Sequence, residues 1–386
     1  VPAVMRIVFR AHPAFGHVYP LMPLAEAARS AGHEVIFPIA PPFLDRLREL
    51  GYRTIESGMT IAEASRRRFD GRTPQYVIDG EPNWDLYSEL FAESAVHAAT
   101  DMLRQLPGLG VDLVIHEDTD LAGAAVAAAL GIPSAMVGTV QSFEPQVHAT
   151  FYRRPLEELS TLFGAVPSLD APVLDTWPDR CQRTEFVADP LRRPMRMVPW
   201  SDPSYPVPSR IGSRTDRTVF VTMGTMVESA ELRRNVVEAL SAFDVDIVLS
   251  AGIADREALG ELPANVYVEP FVHQAKLLPH LDLIVHHGGA GTATGAWAAG
   301  VPQLVLPDGA DRFLNAGAVV ESGSGLALAD HAPDLIEQAA RSLLADDAFR
   351  VAAGAIRADI AATPHPTEAL AKLLTDMFGA ARPHAA

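Results

Sequence analysis

The 386-residue chain predicts an α/β protein of two doubly wound parallel-sheet domains joined by a linker. Three observations carry that prediction. Short apolar runs alternate with segments of helical period, the pattern of strands buried on both faces beneath covering helices. The stretch 198–209 has four prolines in twelve residues, and proline removes hydrogen-bond donors and disfavours both helix and central strand. After it the strand–helix alternation begins afresh. The length also suits two domains of about 180 to 200 residues better than one.

In the amino half, residues 5–9 read as a buried strand, followed by a turn-rich stretch at 11–16. Leu21, Leu24, Ala25, Ala28 and Ala31 recur at helical spacing until Gly32 stops the helix. Residues 35–39 form the next strand and 43–50 the next helix. The rhythm returns as strand 112–115, helix 122–130 and strand 134–137. Two stretches, 56–82 and 141–179, are rich in aromatics, Pro and Gly with weak periodicity; they read as parts of a binding pocket or as helical excursions. In the carboxyl half, strands are expected at 219–223, 246–250, 266–269, 283–286 and 303–306. Helices are expected at 229–243, 292–299, 313–323, 334–344 and 366–379. The boundaries follow: an amino-terminal domain over 1–200, a linker over 201–216, a second domain over 217–365, and a terminal helix and tail over 366–386 that packs back on the first domain. Two such domains facing one another make a cleft at the carboxyl ends of their sheets.

Charge narrows the partners. The formal net charge is −17, from 48 acidic and 31 basic residues, so nucleic acid and anionic membranes are repelled. The run Arg66-Arg67-Arg68 reads as a solvated helix face. The single cysteine, Cys181, excludes internal disulfides and multi-cysteine metal sites, which fits a reducing cytoplasm. Residues 1–4 read as a leader before Met5, and no apolar stretch of about 18 residues suggests a membrane span. The expected protein is soluble and cytoplasmic. Homodimerisation and an auxiliary protein partner are both compatible with the sequence.

The most specific segment is Leu283-Ile-Val-His-His-Gly-Gly-Ala-Gly-Thr292, a strand running into glycines and then a helix. Glycines allow close backbone approach, and a helix start offers unpaired N–H groups to a diphosphate. His287 and Thr292 add side-chain donors. The spacing matches neither the dinucleotide fingerprint nor the Walker loop, which needs a lysine.

His287-Gly-Gly-Ala-Gly-Thr292, Ala299-Gly-Val-Pro-Gln303, Pro307 and Asp311-Arg-Phe-Leu-Asn-Ala316 together resemble the donor signature of the family 1 glycosyltransferases of GT-B fold. The nearer likeness is to actinobacterial enzymes that glycosylate macrolides, enediynes and aromatic polyketides, and it extends over essentially the whole chain. The resemblance implies two Rossmann-like domains and an inverting transfer of a (deoxy)sugar from a TDP- or UDP-sugar, TDP favoured. The acceptor would be a hydrophobic small molecule in antibiotic or secondary-metabolite biosynthesis, with no metal and no other cofactor. In Phe271-Val-His-Gln274 it implies that Phe271 stacks on the base, the Val272 backbone reads its edge and Gln274 lies near the ribose. In Thr222-Met-Gly-Thr225 it implies that Thr225 reaches the phosphates, with His287, Gly288, Gly289, Gly291 and Thr292. Asp311 and Arg312 occupy the pair that contacts sugar hydroxyls. Two positions depart from the pattern: Gly295 replaces a ribose-binding Glu, and Arg312 replaces a Gln.

Phe15-Gly-His17, after the first strand, resembles the turn whose His removes the acceptor's proton. Imidazole suits the task because it titrates near 6.5 in isolation. A carboxylate on its other ring nitrogen would fix the tautomer and stabilise the imidazolium. Glu117 is the favoured partner and Asp118 the alternative; His12 is the competing base. Asp118-Thr-Asp120 also invites a metal reading, set aside because no second carboxylate cluster supports it. Rival functions on the same architecture are a nucleotide-sugar epimerase or hydrolase, and a noncatalytic homologue that binds the ligand or activates a partner. A dinucleotide-dependent reductase lacks its glycine fingerprint after the first strand.

Overall fold

The computed structural model describes residues 4–164, 167–205, 217–224, 230–241 and 243–379. The chain divides into two compact units. Unit 1 takes the described residues through Trp177, then Arg183–Arg196 and the segment from Thr363 onward. Unit 2 takes Pro178–Gln182 and the described residues from Met197 to Ala362.

Unit 1 is built on β1 (Arg6–Arg10), β2 (Glu34–Ile39) and β3 (Arg53–Glu56), with a small antiparallel hairpin of β4 (Val77–Ile78) and β5 (Glu81–Pro82) beside them in sequence. The main sheet is completed by β6 (Leu113–Glu117), β7 (Ser134–Gly138), β8 (Val173–Asp175) and β9 (Arg192–Pro194). All seven strands run parallel in the order β3-β2-β1-β6-β7-β8-β9. Ile7, Val8, Phe9, Val114 and Ile115 are fully buried, as continuous apolar runs must be when helices cover both faces. The helix Pro366–Phe378 packs on helix Met22–Ser30 in this unit. Its start is set by Pro366 in the first turn and a capping box formed by His365 and Glu368.

Unit 2 holds β10 (Arg217–Thr222), β11 (Val245–Ser250), β12 (Val266–Glu269), β13 (Leu283–His286), β14 (Gln303–Val305) and β15 (Gly325–Ala327). They form a parallel sheet ordered β12-β11-β10-β13-β14-β15. In each sheet the strand order reverses once, between β1 and β6 in unit 1 and between β10 and β13 in unit 2. Helices on either side of such a switch point diverge, opening a crevice at the carboxyl ends of those strands.

Both weakly periodic stretches contain regular structure. Within 56–82 lies the helix Ile61–Arg68, capped where the Thr60 side chain accepts from the Glu63 amide at 3.2 Å. Its arginine run is not wholly solvated: Arg68 is half-buried and pairs with Glu89 and, at 2.6 Å, with Glu158. The helix Pro145–Phe163 occupies much of 141–179 and packs on the 22-residue helix Trp84–Gln105. Of the expected linker, residues 206–216 lie outside the described residues. The part before them is docked on unit 2, where the Ser201 hydroxyl accepts from the Ala275 amide at 3.1 Å. Among the described residues no helix is long and apolar enough to cross a membrane.

Candidate active site

The switch point of unit 1 brings the turn after β1 against the end of β6. His17 sits in the single-turn helix Phe15–Val18, and its Nδ1 lies 2.8 Å from Oε1 of Glu117. The Glu117 side chain is fully buried while that of His17 is 24% exposed, so the imidazole is the member of the pair that solutes can reach. Besides a long contact of the Thr139 hydroxyl at 3.4 Å, three further donors aim at the Glu117 carboxylate. The Thr119 hydroxyl and amide reach Oε2 at 2.5 and 3.1 Å, and the His12 amide reaches Oε1 at 3.3 Å. Burial by itself would raise the Glu117 pKa. The charge and hydrogen bond of His17, with His12 and Thr119, instead hold the carboxyl well below the usual carboxylate range.

Asp118 does not reach His17. Successive side chains at a strand end point to opposite faces, and Asp118 accepts from the Thr139 amide at 3.1 Å and hydroxyl at 2.7 Å. Burial, then the neighbouring Glu117 charge, push it up to about 7. Its folded-state value exceeds the unfolded value near 4, so this carboxyl costs stability as pH rises through that interval. Asp118→Asn is therefore expected to raise Tm more at about pH 8 than at about pH 5. Equal shifts in two melting curves would show that titration of Asp118 is not responsible.

His12 is fully buried, with Nδ1 3.1 Å from the Ser94 hydroxyl, and burial foremost lowers its pKa. An acceptor cannot approach it there. His12, Glu117 and Asp120 do bring ligand atoms within 4.8 Å of one another. The buried Arg10 guanidinium, 2.7 Å from Asp120, already balances that carboxylate, and Asp118 faces elsewhere. Beside His17 runs an aromatic wall. Phe91 lies 6.4 Å from His17 between ring centroids and 5.0 Å from Phe151; Phe143 lies 5.2 Å from both Phe151 and Trp84.

In unit 2 the loop after β13 is held from several sides. Gly288 adopts φ +92°, and its amide donates to His286 Nδ1 at 3.1 Å. The opposite nitrogen of His286 donates to Gln303 Oε1 at 2.9 Å, which sets the tautomer. Asn315 Nδ2 donates both to the Gly288 carbonyl and to Asp311, each at 2.8 Å. Gly289 caps the helix Ala290–Ala299, whose first-turn amides at Ala290 and Gly291 lack intrahelical acceptors. The Thr292 amide donates to the Gly289 carbonyl at 3.0 Å, so its N–H is already engaged within the loop. The His287 ring fits between Gly224 and Gly289: a Cβ added at either would lie 2.6 or 2.7 Å from it. Burial first, then the neighbouring Arg312 and His286, lower its pKa well below the ordinary value. Its neutral form is thus favoured, and the positive end of the helix dipole lies at the neighbouring helix start.

Phe271 stacks on Tyr205 with centroids 4.0 Å apart, Val272 is buried, and Gln274 opens the short helix Gln274–Leu277. Asp311 caps the helix Arg312–Glu321, and Arg312 pairs with Asp308. Gly295 is buried, and a Cβ there would meet Leu278 at 3.2 Å. Thr225 lies outside the described residues.

The sequence is 32% identical to elloramycin glycosyltransferase ElmGT of Streptomyces olivaceus, over 96% of this chain and 97% of that one. The chain belongs to the GT-B natural-product glycosyltransferases. Residues 234–377 match the family model of the erythromycin biosynthesis protein CIII-like C-terminal domain. The enzyme also resembles the crystal structure of the glycosyltransferase SnogD from Streptomyces nogalater, with TM-score 0.77, 27% identity and coverage of 96% and 99% of the two chains. The glycosyltransferase VinC in complex with dTDP is similar at TM-score 0.79 and 26% identity, covering 96% and 98%.

Several residues around this glycosyltransferase's two switch points escaped sequence reasoning. Trp84 and Phe91 lie seven residues apart on one helix, a spacing visible in the sequence but outside both stretches singled out. Thr119 and Thr139 act through the carboxylates they hold, and no local pattern marks them; His286 and Gln303 fall inside the motifs at 283–292 and 299–303, which assign them no role.

Proposed function

We propose that the enzyme transfers a sugar from a TDP- or UDP-sugar, TDP favoured, to a hydroxyl of a hydrophobic small molecule in secondary metabolism, with inversion and without a metal ion. The observation that carries this reading is the 2.8 Å bond between the buried Glu117 and the accessible His17 beside the aromatic wall. With Glu117 on Nδ1, Nε2 is the nitrogen that accepts the acceptor's proton. The acceptor oxygen then bonds to the anomeric carbon as the bond from that carbon to the diphosphate oxygen breaks on the opposite face. Unit 1 holds the acceptor and unit 2 the donor. His287 and Thr225, with the Thr292 hydroxyl and the amides following Gly288 and Gly289, stabilise the departing diphosphate. Phe271, Val272 and Gln274 bind the nucleoside; Gly291 leaves room at the helix start, and Asp311 and Arg312 face the sugar. The dTDP held by VinC supports the choice of nucleotide.

Thermal denaturation with TDP, UDP, GDP and NAD, each with and without EDTA, tests the donor side. A ligand at a hundredfold its Kd adds about 2.7 kcal/mol. TDP is expected to raise Tm by several degrees irrespective of EDTA. Stabilisation that vanishes with EDTA would refute metal independence, and none with TDP or UDP would refute the donor reading. The configuration of the product's anomeric carbon, read by NMR, tests inversion.

Thr119 is a positioning residue in this scheme, because its hydroxyl holds Glu117 against His17. Thr119→Val is expected to slow transfer about tenfold, equivalent to about 1.4 kcal/mol, with donor KM unchanged. Thr119→Ser restores the donor and should restore the rate. A rate loss as large for Ser as for Val would point to packing instead.

A further inference from the structure

Phe271 follows β12 by two residues. The strand order β12-β11-β10-β13 sets β12 three strand spacings, about 14 Å, from the strand that opens the phosphate loop. A nucleoside diphosphate laid along the carboxyl ends of these strands, with its phosphates at the start of Ala290–Ala299, carries its base toward Phe271. Phe271 is half-buried, and its ring stacks on Tyr205 with centroids 4.0 Å apart and planes inclined by 39°. The chain before the second sheet is built to hold Tyr205 there. Asp202-Pro203-Ser204-Tyr205 is a β-turn with Asp first and Pro second, the positions those residues favour. The Tyr205 amide closes the turn on the Asp202 carbonyl at 3.1 Å. Asp202 Oδ1 accepts from the Ser204 amide at 2.8 Å and from its hydroxyl at 2.5 Å. Asp202 is buried, and the buried Ser201 before it accepts from the Ala275 amide, four residues past Phe271. The two rings are therefore carried by backbone segments that are hydrogen-bonded to one another.

We propose that Tyr205 is a positioning residue of the donor site, whose ring sets the plane of Phe271 and through it the affinity for a nucleobase. The proposal rests on the reading of Phe271 as the residue that stacks on the base. A phenyl ring in contact with a second ring cannot turn about its Cβ–Cγ bond without displacing that neighbour. Phe271 is thus held in one plane before a ligand arrives, and less ordering remains for the base to impose. The anchored turn makes Tyr205 a fixture of unit 2 rather than a plug in the base's place. Its influence is confined to ligands that carry a planar base. A diphosphate without one meets the glycine loop and helix start alone, and is indifferent to Tyr205.

The test is calorimetric titration of the full chain with TDP and with inorganic pyrophosphate. Tyr205→Leu is expected to weaken TDP about fivefold and to leave pyrophosphate within about twofold of wild type. Tyr205→Phe keeps the ring and is expected to bind both ligands within about twofold of wild type. TDP binding by Tyr205→Leu within about twofold of wild type would overturn the proposal. Tighter binding would overturn it too, since that is the result of a ring that competes with the base. An equal loss of pyrophosphate would do the same by showing damage to the whole unit. A loss in Tyr205→Phe as large as in Tyr205→Leu would move the role to the hydroxyl and also overturn it. Phe271→Leu separates the proposal from the reading beneath it, with TDP expected to weaken at least about tenfold. That loss together with an unaffected Tyr205→Leu would leave the base reading standing and sink only the role of Tyr205. Wild-type affinity in Phe271→Leu would sink the base reading itself.

Discussion

His17→Ala is expected to slow sugar transfer about 10³-fold while TDP affinity, measured by calorimetry, stays within about twofold of wild type. A positioned general base contributes roughly 10² to 10⁴ to a rate, and the geometry leaves no substitute for it. His12, the other imidazole at this switch point, is fully buried and engaged with Ser94. Asp118 is directed at Thr139, and Glu117 loses with His17 the first of the influences that keep it ionised. Donor affinity should survive because the phosphate loop belongs to unit 2. Glu117→Gln is the companion variant: it keeps the shape but cannot stabilise an imidazolium, so a slightly smaller loss is expected. Transfer by His17→Ala within tenfold of wild type would remove His17 from the role of base. Equal loss of TDP affinity would instead indicate damage to the whole fold.

Gly288→Ala should abolish measurable TDP binding, with affinity lowered at least about a hundredfold. Two independent costs meet at this residue. Its φ of +92° is a conformation that L side chains rarely adopt, worth about 1 to 3 kcal/mol of strain. An added Cβ would also lie 2.9 Å from the Arg312 carbonyl and 3.0 Å from Val305. The first neighbour is backbone at the start of a helix and does not yield cheaply. The loop must move, and with it the hydrogen bonds to His286 and Asn315 that aim the first-turn amides of Ala290–Ala299. Gly317→Ala, in the helix Arg312–Glu321, is the matched control, since a Cβ there meets nothing within 4 Å. Normal TDP binding by Gly288→Ala would show that the amides need no such aim.

How legible each part was follows from the range of the interactions that define it. The strands at 283–286 and 266–269 coincide with the observed β13 and β12, because both are short apolar runs bounded by turn residues. The helix Ala290–Ala299 begins two residues before its expected start at Thr292, since Gly289 and not the first apolar residue caps it. The helices Trp84–Gln105 and Pro145–Phe163 were hard to see for a different reason. Each mixes aromatics with charged residues on the face turned toward the other helix, which blurs its apolar period, and the second carries Pro155 within it. Their pairing rests on aromatic contacts and on the ion pairs of Arg154 with Glu89 at 2.9 Å and Arg153 with Asp85 at 2.6 Å, made between residues distant in sequence.

What the sequence determined by itself is what short-range chemistry determines: two parallel sheets, a glycine-rich turn opening a helix, a histidine after the first strand, and a carboxylate pair ending a later one. Hydrophobic period and backbone permissiveness act over a few residues, and they leave a readable trace. Only the tertiary structure decided which member of Glu117 and Asp118 meets His17. The choice depends on side-chain alternation at the end of β6 and on where Thr119 and Thr139 stand. It likewise decided that His287 is neutral between two glycines, and that Arg312 is balanced by Asp308. Desolvation and charge pairing depend on everything that surrounds a group, so they exist only once the chain has folded.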